Sequence, residues 1–306
     1  MLLPKVTIVI PVFNQSAFLD RTILSVLNQS HSNIECIVVD DGSTDDSYLI
    51  AERHLPRLRI LRQANAGQAL AMNFGFAAAA GDFVGYLSAD DVLDRDAVSE
   101  LIECMRSKDK DTYLVAFPEY RTIDQFDNVI IDGVDPFADV KDMVENFRCT
   151  IGPGAIFSKE LIPLCGGWNS KFKQIPDFEF WLRVSANANF YQIPKILASF
   201  RVHLNSQTYG KSSIAQADES IYLVERVQSS QFKLPTDSNL RSFYSSAYIY
   251  SSCLHFKSAR FALGVSRFAK SLTYSRKASL SRYAVRRLLS SIAASFTFYW
   301  KHTICR

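Results

Sequence analysis

Short apolar runs alternate with segments of helical periodicity along the first third of the chain. The apolar runs, which predict strands, are Val6–Ile10, Glu35–Asp40, Leu58–Arg62 and Asp82–Leu87. The segments between and after them predict helices Leu19–Leu27, Ser43–Arg53, Gln68–Ala80 and Ala97–Ser107. Because strand and helix alternate repeatedly before Lys108, we expect a parallel sheet with right-handed crossovers.

The alternation breaks down after Tyr113. We predict strands over Tyr113–Tyr120, Asn128–Ile131 and Ile196–Val202, a glycine-rich approach to a strand at Ile151–Phe157, and helices over Asp139–Phe147 and from Pro176. From Ser238 the chain shows helical spacing only, with two helices around Lys257 and one from Tyr283 to Trp300. The expected fold is an α/β open sandwich, with a mainly parallel central sheet flanked by helices and a C-terminal helical appendage.

Charge is unevenly distributed along the chain, although the formal net charge is only +3. Positions 231–306 hold thirteen Lys or Arg and one acid, Asp237, whereas positions 1–230 carry a net negative charge. Three interpretations of the basic segment remain open: a solvated helical face, contact with an anionic membrane surface, and oligomerisation. We expect no nucleic-acid binding, because the acidic remainder of the chain does not continue a basic stripe.

The cysteines are scattered, with no pair at metal-ligand spacing, which favours reduced thiols. They are Cys36, Cys104, Cys149, Cys165, Cys253 and Cys305. Since there is no leader-like N-terminus and no apolar stretch of spanning length, we expect a cytoplasmic protein, at most peripheral at the inner face of a membrane.

Polar residues follow three of the predicted parallel strands, in Pro11–Asn14, Asp40–Ser43 and Ser88–Asp91. Ligands of α/β sheets bind beyond the carboxyl ends of the strands, so one edge of the sheet collects these groups. A carboxylate there can accept the imide N–H of a pyrimidine, a second can hold Mg²⁺ or Mn²⁺ against a diphosphate, and a third can deprotonate a hydroxyl. No dinucleotide-binding glycine motif and no Walker loop is present.

These segments together resemble the family-2 glycosyltransferases, which have the GT-A fold. The matching segments are Val6–Asn14, Ser25–Ser30, Val38–Asp45, Asn65–Gly67 and Gly81–Val84, and a looser similarity extends to His203. The resemblance implies inverting, metal-dependent transfer of a sugar from a nucleoside-diphosphate sugar, with a UDP-sugar expected, to an acceptor hydroxyl. The acceptor would be a glycan, a lipid-linked molecule or a protein, in surface polysaccharide or glycoconjugate assembly.

The resemblance also implies an organisation of the chain. Residues 1–230 would form the GT-A domain, with a nucleotide-binding half over about 1–112 and an acceptor half over about 113–230. Residues 231–306 would form the basic helical region, which could contact a membrane surface.

Site residues are implied in the same way. Those expected to bind the nucleotide-sugar are Pro11, Val12, Phe13, Asn14, Asp41, Gly67, Ser88, Ala89 and Asp90. The expected metal ligands for Mg²⁺ or Mn²⁺ are Asp90, Asp91 and His203, and the expected catalytic base is Asp177.

Each assignment has a structural alternative. Asp41 could serve only as a turn residue, Asp90 or Asp91 as a cap of the following helix, Asp177 as a helix N-cap, and His203 as a packing residue.

Three positions depart from the family pattern: Ser88 replaces the first carboxylate of the metal motif, Pro176 stands where Glu is frequent, and Met72 replaces a frequent Arg. Ser88 and Pro176 support the alternative of a non-catalytic GT-A module that binds a sugar nucleotide or a partner. A nucleotidyltransferase is disfavoured, because Asn14 and its neighbours do not form a glycine-rich basic loop. We do not expect processive synthesis with export, since no run of membrane helices is present.

Overall fold

The computed structural model describes residues 3–108, 112–133, 136–203, 206, 210–229, 231–232, 234–235 and 237–303, with side chains up to Ser295. The chain divides into two compact units. The first contains the described residues up to Phe137, Thr150–Lys171 and Pro176–His203. The second contains Ala138–Cys149, Phe172–Ile175 and the described residues after His203. The second unit therefore includes segments that precede position 231 in the sequence. The division of residues 1–230 into a nucleotide-binding half and an acceptor half stays a prediction.

The first unit is built on one nine-stranded sheet. Its strands are β1 (Val6–Val12), β2 (Ile34–Asp40), β3 (Arg59–Arg62), β4 (Phe83–Tyr86), β5 (Val92–Leu93), β6 (Tyr113–Ile123), β7 (Val129–Ile131), β8 (Ile156–Ser158) and β9 (Ala188–Arg201). Its helices are α1 (Leu19–Leu27), α2 (Ser47–Glu52), α3 (Gln68–Ala78), α4 (Ala97–Arg106), α6 (Leu161–Cys165) and α7 (Pro176–Val184). The strand order is β3-β2-β1-β4-β8-β6-β9-β5, with β7 beside β6.

The first four strands are parallel to one another, as the alternating pattern predicts. All seven residues of β1 are buried, which is typical of a strand covered on both faces. The register pairs Val6 with Ile34 and Val12 with Asp40, so β1 and β2 end at the same level. Helix α1 covers this part of the sheet with Leu19, Ile23 and Val26, which are fully buried.

The second half of the sheet is mixed. β8 lies antiparallel between β4 and β6, whereas β9 runs parallel to β6 and antiparallel to β5. β9 begins at Ala188, eight residues before the strand predicted at Ile196–Val202. The part before Ile196 contains Asn189, Gln192 and Lys195 and lacks the apolar alternation from which a half-buried strand is predicted. The two-residue β5 is too short to leave a periodic signal.

The second unit is helical, in agreement with the predicted C-terminal appendage. Its helices are α5 (Val140–Glu145), α8 (Ile214–Ala217), α9 (Glu219–Gln228), α10 (Leu240–Lys257), α11 (Phe261–Tyr274), α12 (Arg276–Ser279) and α13 (Arg282–Thr303). A small apolar core joins α10 to α13 through Ile249, Cys253, Phe256, Ala284 and Leu288.

Buried serines let the helices of this unit pack closely. Ser252 donates to the carbonyl of Gly264 at 2.7 Å, and the hydroxyls of Ser245 and Ser279 lie 2.9 Å apart. These hydrogen bonds satisfy hydroxyls that would otherwise be costly to bury. Within the described part of the chain, no helix combines the length and apolarity needed to cross a bilayer. The described cysteines are free thiols, as expected, and Cys305 lies outside the described residues.

Candidate functional site

The carboxyl ends of β1, β2 and β4 lie side by side, so the polar segments that follow them share one edge of the sheet. Pro11 and Val12, both expected near the nucleotide, are buried within β1 itself. The backbone N–H of Asp41 donates to the carbonyl of Val12 at 2.8 Å, and that of Leu87 donates to the carbonyl of Val9 at 3.0 Å. The segments that follow β1, β2 and β4 therefore lie close together, as predicted.

Asn14 joins the segment after β1 to the segment after β2. Its Oδ1 accepts from the backbone N–H of Thr44 at 2.8 Å, and its own N–H donates to the hydroxyl of Ser43 at 3.1 Å. The backbone of Asn14 has a φ of 52°, a left-handed conformation that Asn tolerates better than most residues. Asn14 thus fixes the two segments to each other. Phe13, next to it, is 45% exposed and can be reached by a ligand.

Asp41 organises the loop that contains Gly67. Its Oδ1 accepts from Gln63 Nε2 at 2.7 Å and from the N–H of Ala66 at 2.9 Å, while its Oδ2 accepts from the N–H of Gly67 at 2.8 Å. The residue is only 3% exposed. A carboxylate oxygen offers about two acceptor positions, so Oδ2 retains one after these bonds. Asp41 is expected from the sequence to bind a ligand, and its role in holding this loop is not evident from the sequence.

The segment Ser88–Asp91 is a turn held by helix α1. The N–H of Asp91 donates to the carbonyl of Ser88 at 3.1 Å. The hydroxyl of Thr22 donates to the carbonyls of Ala89 and Asp91, at 2.9 and 2.8 Å. Strand β5 follows the turn directly, and the next helix begins only at Ala97. The alternative that Asp90 or Asp91 caps that helix is therefore wrong.

The two adjacent carboxylates have different surroundings. Asp90 is half-buried, and its Oδ2 lies 3.0 Å from Nε2 of His203, so the structure brings these two expected metal ligands together. Asp91 is 2% exposed, and its Oδ1 accepts from the backbone N–H of Arg201 at 2.8 Å. Burial and the neighbouring Asp90 charge raise the pKa of Asp91 well above the usual range of a carboxyl group.

Arg201 is the main residue of this region that the sequence analysis did not assign to the site. Its side chain is fully buried, donates from Nε to the carbonyl of Asp90 at 2.7 Å, and donates from Nη1 to the carbonyl of Asp124 at 2.9 Å. Nη1 also lies 2.6 Å from Oδ1 of Asp127. An arginine at the end of a buried strand is an unusual signal that could have pointed to it.

Phe18 completes the packing around this arginine. Its ring lies 5.0 Å from the guanidinium of Arg201 and 4.7 Å from the ring of His203. An aromatic face near a desolvated guanidinium is favourable. Arg201 therefore holds the carbonyl of Asp90 and the side chain of Asp91. Phe18, which packs on Arg201, contacts the ring of His203.

Asp177 lies in the first turn of α7, one residue after the helix begins at Pro176. It is therefore not the N-cap residue that the alternative interpretation proposed. Its Oδ1 accepts from the backbone N–H of Phe178 at 2.8 Å. Burial raises the pKa of Asp177 above the ordinary value of 3.8, and the backbone hydrogen bonds oppose this rise.

The metal-binding side chains at this site can hold a divalent cation only if a bound substrate supplies further metal ligands. Within the described residues, no group of three His, Cys, Asp or Glu side chains converges as a metal site. Asp90 and His203 supply one carboxylate and one imidazole, a pair suited to Mn²⁺. Protein sites for Mg²⁺ commonly use one or two carboxylates together with substrate phosphates.

The sheet has a parallel half with acidic turns at its carboxyl edge, and antiparallel strands continue it. This arrangement is that of the GT-A fold class. A family model described as Glycosyl transferase family 2 matches residues 7–162, about half of the chain. The chain belongs to this family, which confirms the resemblance read from the motifs.

Two curated synthases that resemble this chain are much longer than it. The chain is 31% identical over 216 residues to a chondroitin synthase of Escherichia coli. The matched segment covers 69% of this chain and 31% of that protein. The chain is 28% identical over 229 residues to a hyaluronan synthase of Pasteurella multocida, covering 71% and 22%. The chain thus spans about a third or less of the length of these two synthases.

Solved structures show the same fold at low sequence identity. Residues 1–349 of S. aureus TarS, in complex with UDP-GlcNAc, match with a TM-score of 0.70 and 14% identity, covering 97% of this chain and 92% of that chain. A mannosyltransferase of Pyrobaculum calidifontis, in complex with GDP-Man and Mn²⁺, matches with a TM-score of 0.60 and 16% identity, covering 97% and 87%.

Proposed function

We propose that this protein is an inverting, metal-dependent glycosyltransferase that moves a sugar from a nucleoside-diphosphate sugar to an acceptor hydroxyl. The observation that carries this proposal is the pair Asp90–His203, placed at the carboxyl edge of a parallel sheet in a chain of glycosyl transferase family 2. This edge is where α/β sheets bind their ligands.

The proposed donor site lies along the segments after β1, β2 and β4. Phe13 offers an exposed ring, Asp41 retains one acceptor position, and the loop at Gly67 is held in place by its N–H bond to Asp41. Ser88 and Ala89 lead into the diphosphate region. Complexes of structural neighbours with UDP-GlcNAc and GDP-Man support a nucleotide-sugar donor, and a UDP-sugar is our first choice.

Asp90 and His203 would hold Mg²⁺ or Mn²⁺. When bound, such an ion neutralises the charge that develops on the departing diphosphate. The Mn²⁺ in the mannosyltransferase complex supports a divalent cation here. Arg201 keeps both ligands in position, because it bonds the backbone of Asp90 and packs with Phe18 beside the imidazole.

Asp177 is the proposed base. It takes the proton of the acceptor hydroxyl while that oxygen forms a bond to the anomeric carbon, and the bond from this carbon to the diphosphate oxygen breaks with its electron pair. Attack from the opposite side inverts the configuration. A carboxylate whose pKa is raised by burial is a stronger base than an exposed one, which favours this role.

Surface polysaccharide or glycoconjugate assembly is the proposed setting, with a glycan, lipid-linked or protein acceptor. The names of the relatives, chondroitin synthase and hyaluronan synthase, support polysaccharide chemistry. Because the chain spans only a part of these synthases, their complete activities are not transferred to it. We also propose a cytoplasmic protein attached peripherally to the inner face of a membrane.

The test is Asp177→Asn, assayed by release of nucleoside diphosphate from UDP-, dTDP- and GDP-sugars with Mn²⁺ or Mg²⁺. Donor binding should persist in this variant, whereas turnover should fall by about two to four orders of magnitude. Asp96→Asn is a matched control, because Asp96 also lies at a helix start and makes no side-chain capping bond. Retained turnover in Asp177→Asn would remove this residue from the base role. Donor binding without turnover by the unmodified protein, across the whole panel, would favour the non-catalytic module.

A further inference from the structure

Two groups of arginines in the helical unit differ in their surroundings. Arg260, Arg267 and Arg287 are used within the unit. Arg267 pairs with Asp218 at 2.6 Å, Arg260 donates to His255 Nδ1 at 2.9 Å, and the guanidinium of Arg287 lies 4.6 Å from the ring of Tyr250. These three arginines stabilise the fold and are not available as a free charged surface.

The second group lies on one exposed face of α13, which we call the α13 face. It consists of Arg282, Val285, Arg286 and Leu289, spaced so that all four lie on one side of the helix. All four are exposed, Leu289 by 62%, and Leu280 just before the helix is exposed by 60%. The other side of α13 packs into the unit through Ala284 and Leu288.

Nothing acidic from the same part of the chain compensates the α13 face. The sequence contains no Asp or Glu after Asp237. Among the described residues, neither Arg282 nor Arg286 forms an ion pair. These two guanidinium groups, which have no ion-pair partner in the described part of the chain, are interleaved with exposed aliphatic side chains, so the α13 face suits a partner that offers negative charge and apolar volume at the same time.

We propose that the α13 face binds an anionic membrane surface, with Arg282 and Arg286 among the lipid phosphates and Leu280, Val285 and Leu289 at the boundary of the acyl chains. A helix with basic and apolar side chains on its free face is suited to lie in this interface. The inference names the surface for the membrane attachment proposed above and rests on that part of the proposed function, but it does not depend on the transfer chemistry proposed for the sheet.

Two other partners fit the α13 face less well. A soluble polyanion would match the arginines but would leave Val285 and Leu289 without an apolar partner. A second copy of the chain, bound through the same face about a two-fold axis, would place Arg282 and Arg286 against a surface that carries the same two arginines. Like charges in such a contact oppose association, whereas an anionic lipid surface satisfies both kinds of side chain.

The experiment is co-sedimentation of the full chain with vesicles of phosphatidylcholine, alone or mixed with phosphatidylglycerol. We expect binding to the mixed vesicles only, weakened by salt. Each base near an anionic surface contributes about fivefold to the partition coefficient, so Arg282→Gln with Arg286→Gln should reduce it about 30-fold. Leu280→Ser with Leu289→Ser should reduce it at least about tenfold. All four residues are exposed, so these variants should fold, which circular dichroism verifies.

Matched control variants distinguish an effect of the α13 face on vesicle binding from a general effect of lost charge or lost apolar surface. Arg106→Gln with Arg241→Gln removes the same charge from exposed positions elsewhere, and Leu49→Ser with Leu164→Ser removes leucines of similar exposure. Both controls should bind nearly as well as the unmodified protein. An equal loss in the controls would overturn the proposal, as would unchanged binding in the leucine variant. Polyphosphate that binds with the same dependence on these residues, or a dimer that is lost in the leucine variant, would also overturn it.

Discussion

Arg201 offers the most direct test of how the site is held, since one buried side chain contacts two separate turns. Replacement by Met keeps most of its volume and removes the charged head. The change deletes the bonds to the carbonyls of Asp90 and Asp124 and the ion pair with Asp127. The two carbonyls then lose a donor, and the half-exposed Asp127 carboxylate loses its buried partner.

The magnitude follows from these contacts. Hydrogen bonds to charged groups contribute about 1.5–3 kcal/mol each, and breaking a buried ionic network costs about 3–5 kcal/mol. Two features lower the sum. Nη2 of Arg201 has no partner among the described residues, so its removal relieves a desolvation cost, and Asp127 keeps an ion pair with Arg21. We therefore expect Arg201→Met to lower the free energy of unfolding by about 3 kcal/mol.

Urea denaturation followed by tryptophan fluorescence measures this loss. Lys195→Met is the matched control on the same strand, because Lys195 pairs with Glu100 at the surface and such pairs contribute about 0–1 kcal/mol. Arg201→Lys should fall between the two, since a lysine keeps the charge but cannot reach two turns. Equal midpoints for Arg201→Met and Lys195→Met would refute the reasoning, because the network would then contribute nothing beyond an exposed ion pair.

Two further predictions concern stability. Burial lowers the pKa of His255 below 6.5, so the unfolded chain binds the proton first as pH falls. The free energy of unfolding should thus decrease below about pH 6.5, by up to about 1.4 kcal/mol per pH unit, and urea titrations should show a smaller slope for His255→Gln. Gly42→Ala should cost about 1–3 kcal/mol by thermal denaturation, because φ is +76° and a Cβ would lie 2.8 Å from the N of Asn65. Gly152→Ala would not serve as a control for this variant, because the added Cβ would clash with the ring of Tyr120.

The parallel part of the fold could be predicted because its signal is local. Val6–Val12 is apolar throughout, and a turn residue follows each early strand, so strand ends and polar segments could be placed at one edge without further information. The pairing of the later strands could not be predicted in this way. β5 has two residues, β8 has three, and the pairing of β6 with β9 joins positions far apart in the chain.

The same distinction applies to the site. Asp90 and His203 were identified by motif, and their contact across more than a hundred residues agrees with that identification. The loop-holding role of Asp41 depends on Gln63 and Ala66, which carry no motif of their own. Arg201 likewise acts through backbone carbonyls, and a carbonyl leaves no trace in the sequence. Residues that position others were therefore missed, whereas residues with a chemical signature could be proposed from the sequence.

The adjacent residues Asp90 and Asp91 should respond differently to the same substitution. For Asp91 to bind a metal ion, its carboxylate would have to leave a buried position and give up the N–H of Arg201. A buried donor left without a partner costs about 1–3 kcal/mol, so we expect a protein ligand set of Asp90 and His203 only. Asp91→Asn keeps an oxygen that can accept from Arg201, and Mn²⁺ affinity, measured calorimetrically with UDP present, should change less than about threefold. Asp90→Asn removes the only carboxylate of the set and should weaken Mn²⁺ binding by about 10–100-fold. Equal losses in the two variants would show that Asp91 turns outward to bind the ion.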